Sequence, residues 1–249
     1  VTRYFGRSVA LADMSFSLDY GECLGLLGGP DAGKTTLMRI LMGVQLPSEG
    51  KVLVDEVDLV RVPERAKVRL AYVPPSHESI PIGSAAEVLE LSRRFRSRSS
   101  HSYDIKESER EAARLCDTLG IGGDDHVMGM HESARRRLQY VDALQHHAPL
   151  LLVDEPFDGL ETKNVDWIGE VLQERRQKGL AILLATQHRG LVSRICDAAL
   201  VMRDGRLIAR EDQPTELAAE LYRFSYSAPV STGADEPTSH EGFYDLETV

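Results

Sequence analysis

The sequence is short of several things, and each shortage excludes something. Only three cysteines occur in 249 residues, Cys23, Cys116 and Cys196. Their number is odd, their spacing is wide, and they form no metal-ligand pattern, so a reduced setting is expected over a disulfide framework. No apolar run approaches the roughly 18 residues that a membrane helix needs, and no signal peptide stands at the start. Any membrane role is therefore expected to come through a partner. Basic charge is in deficit: 29 Lys and Arg against 39 Asp and Glu leave a formal charge of −10. That balance argues against nucleic-acid binding by the whole surface. Internal repeats are missing too. The chain opens on Val1 rather than Met, which leaves room for residues upstream. At 42% hydrophobic the chain can bury a sizeable core.

What is present centres on Leu24-Gly-Leu-Leu-Gly-Gly-Pro-Asp-Ala-Gly-Lys-Thr-Thr-Leu37. Leu24 to Leu27 read as a buried strand, and Leu37 to Met42 have helical character. Between them, Gly28, Gly33, Lys34 and Thr35 fit G-x-x-x-x-G-K-[ST], the P-loop. A triphosphate needs many donors and a positive pole. The turn formed by Gly28, Gly29, Pro30, Asp31, Ala32 and Gly33 aims backbone N–H groups inward. The helix opening at Lys34, Thr35 and Thr36 adds unpaired N–H groups and a positive dipole end. Lys34 is the reader of the β- and γ-phosphates, and the Thr35 hydroxyl is placed on Mg²⁺. ATP and Mg²⁺ are thus the expected ligands.

The rest of the chain predicts an α/β organisation with a mainly parallel core. Val9–Leu18 alternates at the strand period, and Gly50–Asp55, Leu70–Val73 and Leu180–Ala185 read as further strands. Residues 85–95 and 107–119 read as helices joined by a Ser/Arg/His-rich loop at 96–102. Arg93, Arg94, Arg96 and Arg98 form a basic cluster, either a solvated face or a partner surface. Residues 134–145 and 165–178 are further helices. Asp204-Gly205 between two apolar runs is a hairpin signal. A short helix, 214–221, precedes a tail. Residues 225–249 contain Asp235, Glu236, Glu241, Asp245 and Glu247 and no Lys or Arg, and this segment is expected to be disordered.

A second functional strand is Leu150-Leu-Leu-Val-Asp154-Glu155. It delivers a carboxylate to the sheet edge where ligands of open α/β sheets bind. Asp154 is the Mg²⁺ residue, and Glu155 is the general base toward the attacking water. The pair lies 120 residues beyond Lys34 and is followed by Pro156-Phe-Asp-Gly-Leu-Glu161.

With these motifs, residues 1 to about 222 resemble the ATP-binding subunits of ABC transporters. Leu-Leu-Gly…Gly-Lys-Thr-Thr-Leu, Leu-Leu-Val-Asp-Glu-Pro-x-x-Gly-Leu, Ile195-Cys196-Asp197 and Asp204-Gly205-Arg206-Leu207-Ile208 carry the resemblance. The form with an early Tyr4-Phe5-Gly6 looks most like bacterial exporters with separate ATPase chains. The resemblance implies a P-loop NTPase fold with a mainly parallel core sheet, an antiparallel β region and an inserted helical subdomain near 76–135. The ATP-binding domain is then 1–224, followed by the acidic tail 225–249. Phe5, with Tyr4 second, is the implied adenine-stacking aromatic, against plain strand packing. The family works as a head-to-tail dimer in which each ATP lies between one chain's P-loop and the other's signature.

Several family positions differ here. Asp31 stands where the family usually has Gly. The Q-loop glutamine falls on Pro75. The signature falls on Met130-His131-Glu132-Ser133-Ala134, where His131 and Ser133 could still donate but Glu132 is expected to repel a γ-phosphate. Thr186 and Cys196-Asp197 both place Gln187 at the switch-histidine position, with His188 one residue on and pointing the other way unless the loop is rearranged. Glu161 replaces the D-loop aspartate.

The implied function is an ATP-binding subunit of a membrane ABC complex, on the cytoplasmic side and peripheral through integral-membrane subunits. It binds MgATP at a dimer interface and hydrolyses it slowly. A second, different ABC ATP-binding chain is the favoured partner, and nucleic acid is not one. The alternative is a nucleotide-gated structural or regulatory subunit whose partner performs the hydrolysis. Soluble ABC proteins of translation or repair carry two domains or a long coiled coil, which this sequence lacks.

Overall fold

A computed structural model describes residues 1–75, 83–100 and 102–214, without the side chains of residues 162 and 163. The tail at 225–249, most of the short helix at 214–221 and the segment that follows Pro75 lie outside the described residues.

The chain opens with two antiparallel strands, β1 (Arg3–Phe5) and β2 (Ser8–Leu11). It continues into β3 (Cys23–Gly28) and α1 (Lys34–Leu41). A small hairpin, β4 (Leu53–Val54) and β5 (Val57–Asp58), is followed by α2 (Pro63–Lys67) and β6 (Leu70–Val73). Three helices then separate β6 from β7 (Leu150–Asp154). They are α3 (Ala85–Ser99), α4 (Ile105–Leu119) and α5 (Glu132–Leu144). The last elements are α6 (Thr162–Gln177), β8 (Ala181–Thr186), α7 (Arg189–Ile195), β9 (Ala198–Arg203) and β10 (Arg206–Asp212).

Six strands form the central sheet in the order β10-β9-β3-β8-β7-β6. All pairings are parallel except the β9–β10 edge hairpin. Both faces of the sheet are covered, which is why β3 and β8 are buried along their whole length and read as continuous apolar runs. Alternation sorts each strand's residues into two cores. Leu151, Val153, Ile182 and Leu184 pack with α3 to α6 on one face. Leu152, Leu183, Leu24 and Leu26 pack with α1 on the other. The β9–β10 turn uses Asp204 (φ 47) and Gly205 (φ 72), the left-handed pair that a two-residue hairpin requires.

Some local readings change. The strand expected over residues 9–18 ends at Leu11, because the chain turns at Asp13 (φ 52) and is then tied to the start, with the Met14 N–H donating to the Val1 carbonyl at 2.9 Å. The strand expected at 50–55 shrinks to Leu53–Val54, bent back at Asp55 and Glu56. The basic cluster is not a surface patch. Helix α3, started by a Ser84–Glu87 capping box, runs on to Ser99 and turns two of the arginines inward. Arg93 Nη1 donates to Gln145 Oε1 at 2.9 Å. Arg96 donates to the carbonyls of Val68 at 2.7 Å and Leu70 at 3.0 Å, binding α3 to the start of β6.

Below α3 lies a histidine that the fold keeps neutral. His146 Nδ1 meets the Tyr103 hydroxyl at 2.6 Å and Nε2 the Ser92 hydroxyl at 2.9 Å. Burial, then the charges of Arg96 and Arg93, push its pKa down to about 3 from 6.5, although the Asp142 carboxylate lies 3.9 Å away. Below pH 6.5 the unfolded chain takes up a proton here that the folded chain excludes. The stability is complete above that value and is lost as the pH falls toward 3, by at most about 1.4 kcal/mol per pH unit. Thermal midpoints measured between pH 7 and 4 are expected to fall less steeply for His146→Gln than for the wild type. Parallel slopes would place the titration elsewhere.

Candidate functional site

The site sits at the C-terminal edge of β3, β7 and β8. At the end of β3, the loop from Gly28 turns through Asp31 (φ 60) and Gly33 (φ 100) into α1. Two glycines are required by space, and Gly33 by its φ as well. A Cβ on Gly28 would lie 2.8 Å from the Ala32 Cβ and 3.0 Å from the Met202 carbonyl oxygen. One on Gly33 would lie 2.9 Å from Leu11 and 3.0 Å from the Ala10 carbonyl. Asp31 tolerates the left-handed conformation and its side chain is exposed. The nest therefore forms despite the missing glycine.

Lys34 is buried, and its Nζ donates to the carbonyls of Gly28 at 2.7 Å and Gly29 at 3.1 Å. Burial pushes its pKa down, against the opposing pull of Glu155, Asp154 and Asp31. A cation held in a glycine cradle, partly desolvated and beside backbone N–H groups, has the donor chemistry a phosphate needs. Thr35 is exposed and Thr36 half-buried in the first turn of α1, so the Thr35 hydroxyl is free to face a ligand. Asp154, buried at the end of β7, pairs in register with Ala185 of β8. Thr35 and Asp154 have the donor chemistry of a Mg²⁺ site.

Glu155 takes φ 45, a rare conformation for a non-glycine residue. Its N–H donates to the Ala185 carbonyl at 2.8 Å, and its Oε2 accepts from the Thr186 hydroxyl at 2.9 Å. The same hydroxyl accepts from the His188 N–H at 3.1 Å. That turn corrects the expected orientation of His188. Strand alternation governs β8 only to Thr186; beyond it the chain bends over the threonine. A ring nitrogen of His188 and carboxylate oxygens of Glu155 and Asp158 all lie within 4.8 Å of one another. His188 lies beside Glu155, and both Gln187 and His188 are exposed.

The signature region differs from expectation as well. His131 caps α5 and Glu132 opens its first turn. The Glu132 side chain folds over Gly159 of its own chain, where an added Cβ would come within 2.7 Å of Glu132 Oε1. Ser133 is buried, and its Oγ accepts from Asn164 Nδ2 at 2.7 Å. Of the two expected donors, only His131 is exposed. Phe5 and Tyr4 are exposed on β1, and the Arg3 guanidinium stands 4.7 Å from the Phe5 ring centroid. Glu161 caps α6.

Against known proteins, a family model described as "ABC transporter" matches residues 11–158, more than half of the chain. The chain belongs to this family. Nod factor export ATP-binding protein I of Bradyrhizobium diazoefficiens is 34% identical over 88% of this ABC chain and 71% of its own length. Ribose import ATP-binding protein RbsA of Caldanaerobacter subterraneus is 28% identical over 84% of this chain and 43% of its own. A solved ATP-binding subunit of an ABC transporter shares the fold with TM-score 0.78, at 24% identity over 90% of both chains. The protein is an ABC-type ATP-binding and ATPase domain, an ATP-binding subunit of an ABC transporter. ATP and Mg²⁺ are the ligands its family binds. No helix among the described residues is long and apolar enough to cross a membrane.

Sequence reasoning missed the residues that hold this edge together from below. Arg136, Gln139 and Tyr140 of α5 are buried; Arg136 and Tyr140 reach the end of β7 and the loop after it, and Gln139 accepts from Arg136. Their spacing with Ser133, three and four residues apart, places them on one helix face, a signal obscured by the run Arg135-Arg136-Arg137.

Proposed function

We propose that the ATP-binding domain spans residues 1–224, with a helical subdomain near 76–135, and works as a peripheral subunit on the cytoplasmic side of a membrane ABC complex. Gly28 to Thr36 hold the phosphates of ATP, and Phe5 meets the adenine. Thr35 and Asp154 hold Mg²⁺, which when bound neutralises phosphate charge. Glu155 accepts the proton of the attacking water as its oxygen bonds to the γ-phosphorus and the bond to the β–γ bridging oxygen breaks. ADP and phosphate leave. Thr186 orients the Glu155 carboxylate. His188, across from Glu155, takes the place of the switch histidine.

The reading rests on one convergence: Lys34 sits in the Gly28–Gly29 cradle with Asp154 and Glu155 acting on its charge. Removing that cation removes a charge-assisted contact of roughly 1.5–3 kcal/mol. Equilibrium nucleotide binding by Lys34→Ala is expected to weaken on the order of tenfold or more. Equal affinity in wild type and variant would sink the P-loop assignment.

Two features favour slow turnover: Pro75 at the Q-loop position offers no side-chain amide, and Glu132 brings a carboxylate to the signature. They support a heterodimer with a second ABC ATP-binding chain. They also keep a second reading in play, a nucleotide-gated regulatory subunit whose partner hydrolyses ATP.

A further inference from the structure

We propose that Arg136 is a positioning residue for Glu155, and that it ties the signature helix α5 to the loop bearing the catalytic carboxylate. The inference rests on Glu155 acting as the base. Arg136 is 1% exposed. Its Nη2 donates to the carbonyl of Asp154 at 3.0 Å and that of Glu155 at 2.6 Å. Its Nη1 donates to the Pro74 carbonyl, at the end of β6, and to Gln139 Oε1 at 3.0 Å. One turn further along the same face, the Tyr140 hydroxyl donates to the Pro156 carbonyl at 2.6 Å, with the Arg136 guanidinium 5.4 Å from the Tyr140 ring centroid. Two side chains of α5 thus hold three consecutive carbonyls, 154 to 156.

Those carbonyls bracket Glu155, the one non-glycine residue of the loop in a left-handed conformation. A residue at such a φ persists only when its surroundings over-determine it. The fork of a guanidinium fits this task because it presents several donors in a fixed plane; a lysine offers one point charge on a flexible stem. Burying a cation is costly unless it is well hydrogen-bonded, and here the bonds are spent on backbone at the catalytic edge. The position also matters for coupling. Arg136 joins Pro74, just after β6, to the end of β7. A nucleotide met by the N-terminus of α5 would be felt at Glu155 through this side chain.

The test uses the full chain in its assembled complex, with Arg136→Lys and Tyr140→Phe compared with wild type. For Arg136→Lys, kcat is expected to fall on the order of tenfold to a hundredfold, the cost of a small misplacement of a reacting group. ATP affinity stays close to wild type, while the melting temperature drops by a few degrees as buried carbonyls lose donors. Tyr140→Phe, which keeps the ring and removes one donor, shows a smaller fall in kcat of the same kind. In the Glu155→Gln background, Arg136→Lys adds little further loss, because a residue that acts only through Glu155 has nothing left to position. The proposal is overturned if ATP affinity falls in step with kcat, or if Arg136→Lys costs its full amount in the Glu155→Gln background as well. A Glu155→Gln change that is silent in the wild-type background overturns the base assignment itself, and the positioning role with it.

Discussion

Glu155→Gln is expected to abolish ATP-driven transport by the assembled complex while leaving ATP binding in place. The substitution is nearly isosteric. A glutamine oxygen can still accept from the Thr186 hydroxyl, which meets Glu155 Oε2 at 2.9 Å. The backbone bond to Ala185 at 2.8 Å and the φ of 45 are main-chain features the change does not touch. What disappears is the capacity to take a proton. A positioned general base contributes about 10²–10⁴-fold to such a step, and hydrolysis at this site should fall by that order. Lys34 and its cradle remain, so nucleotide should still bind and accumulate unhydrolysed. Transport assays in vesicles, paired with nucleotide binding, separate the two quantities. Transport at the wild-type rate would favour the nucleotide-gated reading, in which a partner performs the chemistry.

The sequence carried the parts of this site that depend on local pattern. The apolar runs of β3, β7 and β8 announce parallel strands buried on both faces, and a glycine-rich turn between strand and helix announces the cradle around Lys34. Asp154 and Glu155 follow from the strand that delivers them. The parts that were not legible depend on contacts between distant segments. The family register put Gln187 at the switch position and strand alternation turned His188 away, but the Thr186 hydroxyl captures the His188 N–H and His188 lies beside Glu155. Arg93 and Arg96 looked like solvent-facing charge until α3 packed beside β6, where backbone carbonyls and Gln145 accept from them. Arg136 was hidden for the same reason: charge in a helix normally predicts exposure, and only the fold reveals the carbonyls that receive it. Ser133 looked available to a partner's nucleotide, but packing against α6 committed it to Asn164.

The chain alone is expected to hydrolyse ATP slowly, and pairing with a second, different ABC ATPase chain should raise the rate by about 10² or more, the scale of restoring one donor to the developing charge. With His188 beside Glu155, the proposed deficit would lie chiefly on the signature side and at Pro75. The N-terminus of α5 is a positive dipole end that suits an anionic phosphate. In this chain Glu132 occupies its first turn with a carboxylate of its own, folded over Gly159. In a homodimer both sites would place that carboxylate where the partner's γ-phosphate must approach. Like charges there oppose both binding and the charge built up during phosphoryl transfer. A heterodimer lets Lys34, Asp154 and Glu155 face a signature without the acid. Glu132→Gly should therefore raise the rate of the isolated chain, since it removes the competing charge and leaves Lys34, Asp154 and Glu155 alone. ATPase rates of the chain alone, of Glu132→Gly, and of the chain mixed with candidate partners decide the matter. Brisk hydrolysis by the isolated wild-type chain, lost on Glu155→Gln, would show that Glu132 is no obstacle and that the chain serves as its own partner.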